Sequence, residues 1–125
     1  EKIETVINVK YLGVLDRNSV FNLLSKSDIF LFPSHTEGFS NAMLEAMAVG
    51  LPIIATNVGA NNDMISDQGG FITAVSDVEA MSKAIELMQD PSIRQKMSNW
   101  NIEKVKSNYL IDEVMKKLFA IYDTI

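Results

Sequence analysis

The chain has 125 residues, about the size of one compact domain, so a complete two-domain enzyme does not fit within it. Apolar residues make up 47% and charged residues 22%, an ordinary globular balance, and eleven basic against sixteen acidic residues leave a net charge of −5. Wholesale disorder is excluded, and with no basic run to neutralise a phosphate backbone, nucleic acid is not an expected partner.

Val9 to Leu12 is a short apolar-rich run closed by Gly13, which predicts a strand, and Asn18-Ser19 opens a segment with Val20, Leu23 and Leu24 at helical spacing that ends near Ser27. Ile29 to Phe32 is an uninterrupted apolar run stopped by Pro33, the pattern of a strand covered on both faces in a parallel sheet. Pro33 to Gly38 is the loop beyond it. Ser40 caps a helix that runs from Asn41 to Val49, with Gly50 as its terminating glycine and Pro52 preventing continuation. Ile53 to Thr56 is the next buried strand, Asn57 to Ala60 its loop, and Asn61 to Ser66 a short helix. After Gly69-Gly70, Phe71 to Thr73 reads as a fourth strand, at the sheet edge.

Ser76 and Glu79 have the spacing of a capping box ahead of an apolar stripe of Val78, Met81, Ile85 and Met88. Asp90-Pro91 supplies a cap and a first-turn proline for a helix carrying Ile93, Met97 and Trp100. A last helix carries Val114, Leu118, Ile121 and Tyr122 as a packed stripe, with Lys116 and Lys117 opposite. The seven methionines read as core filler. Strand and helix thus alternate before a run of helices, which defines an α/β fold with a parallel sheet and flanking helices.

The chain has no cysteine, which removes disulfides, thiol nucleophiles and thiolate metal sites, and the single histidine, His35, cannot build a multi-His centre. No apolar stretch reaches the about 20 residues needed to span a bilayer, and the start Glu1-Lys2-Ile3-Glu4 is unlike a secretory signal, so a soluble, cytoplasmic protein is expected. Lacking an initiator methionine, the chain reads as a piece of something longer.

In open α/β sheets ligands bind beyond the carboxyl ends of the strands, which directs attention to the loops after Phe32 and Thr56. The first loop, Pro33 to Ser40, ends at a helix N-terminus, where unpaired amides and the positive end of the helix dipole favour phosphate or sugar oxygens. Gly38 lets the backbone come close to a ligand; an ordinary capped turn is the alternative. Glu45 is the only charge between Met43 and Leu51, on a helix whose composition reads as largely buried. A carboxylate in such a place needs a dedicated partner. A ribose diol would serve, since a carboxylate accepts two hydrogen bonds; an internal hydrogen bond or exposure on the helix's solvent side would remove the need. Glu37 and Glu45 flank one helix start rather than face each other across a cleft, which favours ligand positioning over paired acid–base catalysis. His35 reads as an exposed loop residue, and Arg17 and Lys26 as solvated helix charges.

The run from Asp28 to Gly59, with Glu37-Gly38-Phe39-Ser40-Asn41, Glu45-Ala46-Met47-Ala48-Val49-Gly50 and Pro52 within it, resembles the donor-binding half of the retaining GT-B glycosyltransferases of the group 1, family 4 type. The resemblance extends more loosely to Tyr11-Leu12-Gly13, Gly70-Phe71-Ile72, Asp77 and Tyr122. It implies an incomplete, Rossmann-like C-terminal domain spanning residues 1–125, with the N-terminal acceptor domain and the first strands of this domain absent. The implied ligand is a nucleotide-diphosphate sugar, UDP- or GDP-linked, used as substrate without a cofactor or an obligatory metal. Glu45 then binds the ribose hydroxyls. Glu37, the catalytic position, and the backbone of Gly38, Phe39, Ser40 and Asn41 hold the sugar and phosphates.

The family's Gly-Gly-x-x-Glu reads Gly59-Ala60-Asn61-Asn62-Asp63 here, and its diphosphate-binding Arg and Lys would lie upstream of Val9. The implied activity is hexosyl transfer with retention to a glycan or lipid-linked acceptor, held by the missing domain, in bacterial surface polysaccharide synthesis. The parent is allowed a peripheral membrane association, and these 125 residues alone are expected to give no turnover. A non-catalytic α/β interaction domain and a nucleotide-sugar epimerase on the same scaffold are the rival readings. In the doubly wound order 3-2-1-4-5-6, Val9 to Leu12 corresponds to strand three and Ile29 to Phe32 to strand four. Without strands one and two, strand three would pair directly with strand four or be satisfied by another chain, which favours self-association.

Overall fold

The short apolar runs become a parallel sheet because each is too short for a stable helix, is rich in β-branched or aromatic residues, and is separated from the next by a helix long enough for a crossover. A computed structural model describes residues 8–124, with Tyr122 in its backbone only. The elements are α1 (Arg17–Ser25), β1 (Phe30–Phe32), α2 (Asn41–Ala48), β2 (Ile53–Thr56), α3 (Asn61–Ile65), β3 (Gly70–Thr73), α4 (Val78–Leu87), α5 (Pro91–Asn108) and α6 (Ile111–Asp123). The strand order is β1-β2-β3, with Phe30 opposite Ile53 and Ile53 opposite Gly70. All three strands end at the same edge, where the loops after β1 and β2 meet.

Every residue of the central strand is buried. Its pleat sends alternate side chains to opposite faces, and each face has its own core. Ile53 and Ala55 pack with Met43, Ala46 and Met47 of α2, Met64 and Ile65 of α3, and Val105 of α5. Ile54 packs on the other face with Ala84, Met88 and Met97. Helix α5 therefore serves both faces: its Met97 joins the second core, and its Trp100 and Val105 join the first. Met43, Met47, Met64 and Met88 are fully buried, in keeping with methionine as a filler of irregular space.

The helix starts follow side-chain chemistry. Ser40 Oγ accepts the Met43 amide at 3.1 Å, and Asp90 accepts the Ser92 amide at 2.8 Å ahead of Pro91. The hydrogen bonds from Ser92 hold the Asp90 carboxyl below its usual range. Two expected starts are corrected. Asp16, by accepting the Ser19 amide, caps α1 and moves its start to Arg17. Asp77, not Ser76, caps α4 through the Ala80 amide, because Ser76 takes a φ of +64° that places it in the preceding turn. Glu79 instead meets Lys83 on the exposed side of α4, and the Val78 of the expected stripe is exposed while Ala84 is buried.

Three further expectations are corrected. Val9 to Leu12 is not a strand: no described residue pairs with it, and Val9, Tyr11 and Leu12 are exposed. An isolated extended segment has no ladder to join, so an apolar run alone does not make a strand. Strand pairing between this segment and β1 is accordingly absent among the described residues, and β1 lies at a sheet edge. The apolar stripe of α6 is not packed as expected; Val114, Leu118 and Ile121 are exposed, and the side chain of Tyr122 lies outside the described residues.

Candidate functional site

The loop between β1 and α2 is built from its carbonyls outward. Thr56, at the end of β2, donates its hydroxyl to the Ser34 carbonyl, and the Ala60 amide donates to the Gly38 carbonyl at 2.9 Å. Gly59 supplies the third point. It takes a φ of +51°, and a Cβ there would run into the carbonyl oxygens of Glu37 and Gly38 and sit 2.7 Å from the Glu37 carbonyl carbon. The loop after β1 is thus laid directly on the loop after β2, with glycine required between them by both conformation and space. Below them, Asn61 donates to the Thr56 carbonyl at 3.0 Å from a fully buried position, which ties α3 to the end of β2.

With its carbonyls committed, the loop delivers the backbone of Gly38, Phe39, Ser40 and Asn41 to the start of α2. Ser40 is buried and its hydroxyl satisfies Met43, while the Leu44 amide bonds to the Ser40 carbonyl at 3.1 Å. The amides of Asn41 and Ala42 have no acceptor among the described residues, the usual deficit of a helix start. Glu37 is half-buried, and Ser34 Oγ makes a long contact to its Oε1 at 3.4 Å. Gly38 differs from Gly59: a Cβ built on it meets nothing within 4 Å, and its φ is not in the left-handed region.

Glu45 corrects the expectation of burial. Helix α2 turns Met43, Ala46 and Met47 to the core, and Glu45, at the wrong spacing for that stripe, is exposed. It lines a shallow cavity of about 130 Å³ with Arg17, Phe21 and Leu24 of α1. Arg17, read from sequence as a solvated helix charge, is exposed but belongs to the same wall as Glu45. His35 is exposed in the loop and Lys26 is exposed at the end of α1. A larger cavity of about 250 Å³, bounded by Asp28, Pro52, Arg94 and Ser98, lies at the opposite, amino end of the strands. Among the described residues no three His, Asp or Glu side chains converge as a metal site. No described helix is long and apolar enough to cross a membrane.

One contact escaped sequence reasoning entirely. Phe39 meets Tyr109, the residue that ends α5, in an edge-to-face pair with ring centroids 5.5 Å apart and planes at 66°. Burial, with a smaller contribution from the nearby Asp63 carboxylate, raises the Tyr109 phenol above its ordinary pKa. Nothing in the spacing of Phe39 and Tyr109 announces the pairing, which depends on the path of α5.

A parallel sheet, a capped helix start at its carboxyl edge, and an acidic residue on each side of that start make up the candidate site. Residues 1–104 match the family described as "Glycosyl transferases group 1", and the chain belongs to that family. It is 32% identical over 121 residues to the capsular polysaccharide biosynthesis glycosyltransferase CapM of Staphylococcus aureus, covering 95% of this chain and 30% of CapM. It is 31% identical over 107 residues to the UDP-Gal:alpha-D-GlcNAc-diphosphoundecaprenol alpha-1,3-galactosyltransferase of Escherichia coli, covering 85% of this chain and 28% of that enzyme. Among solved structures, it is similar to the C-terminal domain of a glycosyl transferase group 1 family protein from Francisella tularensis, with a TM-score of 0.70 and 30% identity over 79% of this chain and 52% of that one. The fold is thus that of a GT-B C-terminal domain in part. The chain spans no more than 30% of the length of the two curated relatives.

Proposed function

We propose that this chain is the donor-binding part of a glycosyltransferase that takes a nucleotide-diphosphate sugar and transfers a hexosyl group, with retention, to a glycan or lipid-linked acceptor in surface polysaccharide synthesis. The observation that carries this reading is the divided loop: its carbonyls at Ser34 and Gly38 are taken by the neighbouring strand and loop, and the Asn41 and Ala42 amides at the start of α2 have no acceptor among the described residues. Such a surface suits an anionic diphosphate, stabilised by helix-start amides without a side-chain cation. The names of the curated relatives add polysaccharide synthesis and a UDP-sugar donor, stated of those enzymes.

In this reading Glu45 accepts hydrogen bonds from the ribose hydroxyls, and its exposure in the cavity beside α1 supports access for such a group. Glu37 is the catalytic carboxylate facing the sugar, with the backbone of Gly38, Phe39, Ser40 and Asn41 around the sugar and phosphates. The amides stabilise charge that builds on the leaving diphosphate, work that needs no metal. Acceptor binding belongs to the remainder of a longer, cytoplasmic parent enzyme, and the 125 residues alone give no turnover. In the parent, Glu45→Ala and Glu37→Ala each lower kcat/KM for sugar transfer by about tenfold to hundredfold, the scale of a lost charged hydrogen bond. Wild-type rates in both variants, with the protein folded by circular dichroism, reject the assignment.

A further inference from the structure

We infer that Tyr109 is a positioning residue for the donor loop, holding Phe39 and through it the backbone of residues 38–41. This rests on the donor-site reading above and adds to it a residue from the end of α5, outside the motif that defines the site.

The loop's pinning is lopsided. Its carbonyls at Ser34 and Gly38 are held by hydrogen bonds to Thr56 and Ala60, and Gly59 packs beneath Glu37 and Gly38. Beyond Gly38 the chain turns into the helix, and Ser40 is fixed from within by its own cap. Phe39 sits between these two anchored points and is about half exposed, at 48%. Its ring meets the edge-to-face partner Tyr109 at 5.5 Å.

Tyr109 is well placed to serve as a fixed wall. Its amide bonds to the Val105 carbonyl at 3.0 Å, which closes the last turn of α5, and its ring packs against the first core. Val105, one turn earlier, is itself buried. The wall is therefore tied to the same core that α2 covers. Edge-to-face pairs prefer a defined geometry, so the contact fixes the direction of Phe39 as well as covering it. With this wall in place Phe39 keeps one rotamer, and since the rotamer a residue can take depends on its own φ and ψ, the contact favours one backbone conformation at residue 39.

The test uses the full-length parent protein and two probes, free UDP and free GDP, each titrated calorimetrically, together with amide hydrogen exchange. Tyr109→Ala raises the Kd of whichever nucleotide binds by about threefold to tenfold, with binding stoichiometry unchanged, and Tyr109→Phe restores it to within about twofold because the ring is the working part. The Met43 amide, held by Ser40 Oγ, and the Ala60 amide, held by the Gly38 carbonyl, exchange about tenfold faster in Tyr109→Ala and at the wild-type rate in Tyr109→Phe, a local opening rather than a global one. Phe39→Leu alone weakens binding similarly, and adding Tyr109→Ala to it brings no further loss, since both changes remove one interaction.

A merely structural role for Tyr109 predicts a lower active fraction at unchanged Kd, and that result, or additive losses in the double variant, overturns the inference. Failure of the donor-site reading is a separate outcome, in which the wild-type parent binds neither UDP nor GDP. In that case the exchange data still decide: unchanged exchange of the Met43 and Ala60 amides in Tyr109→Ala rejects the positioning role.

Discussion

Gly38 and Gly59 face each other across the two loops at the sheet edge, and a side chain at each would meet opposite surroundings. At Gly59 the backbone is left-handed and the carbonyls of Glu37 and Gly38 occupy the space of a Cβ. Gly59→Ala therefore combines the cost of positive φ with displacement of the loop above it, and should destabilise the fold by at least about 2 kcal/mol in denaturant unfolding. At Gly38 neither cause operates, since the space is open and the conformation ordinary. The fold alone gives Gly38 no reason to be glycine, whereas a ligand lying against the loop does. Gly38→Ala should keep its unfolding midpoint within about 0.5 kcal/mol of wild type and lose nucleotide binding in the parent. A strongly destabilised Gly38→Ala, or one that binds nucleotide normally, contradicts this division of roles.

The elements legible in the sequence are those whose ends are set by local chemistry. Ser40, Gly50 and Pro52 bracket α2, and Asp90-Pro91 starts α5, because a cap and a ring act within one turn of chain. What misled was periodicity without a partner. The composition of α2 reads as largely buried, but only the Met43, Ala46 and Met47 side meets the core, so of the two readings for Glu45 the exposed one holds. Val9 to Leu12 has the residues of a strand and no described neighbour to bond. Contacts made across long stretches of sequence left no trace at all. Asn101 of α5 is the clearest case: fully buried, it donates Nδ2 to the carbonyls of Leu51 and Gly69, each at 2.8 Å, and so ties α5 to the segments that enter β2 and β3. The Gly69 carbonyl also accepts the Ile53 amide at 3.2 Å, whereas the Leu51 carbonyl has no other donor among the described residues. Asn101→Leu leaves both without this donor and should cost about 3 kcal/mol by denaturant unfolding, against about 1 kcal/mol for an ordinary substitution. An Asn101→Leu chain as stable as wild type would show that the clamp is dispensable.

At the scale of the whole molecule, both outer strands of the sheet, β1 and β3, have an edge with no partner among the described residues, and helix α6 has an uncovered apolar face. Among the described residues strand β1 pairs only with β2, and Leu31 at its centre is exposed. Helix α6 touches α5 but leaves Val114, Leu118, Phe119 and Ile121 open to solvent. Helical spacing puts Val114, Leu118 and Ile121 on one face, so the apolar surface is contiguous rather than scattered, and contiguous patches of this kind favour association. A net charge of −5 opposes close approach only weakly in physiological salt, where repulsion is screened beyond about 8 Å. The 125-residue chain should therefore self-associate through α6. Sedimentation velocity over a hundredfold concentration range should show weight-average mass rising above the 13.9 kDa of one chain. Leu118→Glu combined with Phe119→Glu, both on exposed positions and away from the donor loop, should hold the chain monomeric without lowering its stability. If association persists in that variant while Leu31→Lys abolishes it, the contact runs through the open edge of β1 instead, as an unpaired strand would allow. A monodisperse monomer at every concentration would mean that neither surface is sticky enough to matter, and the expectation of self-association fails.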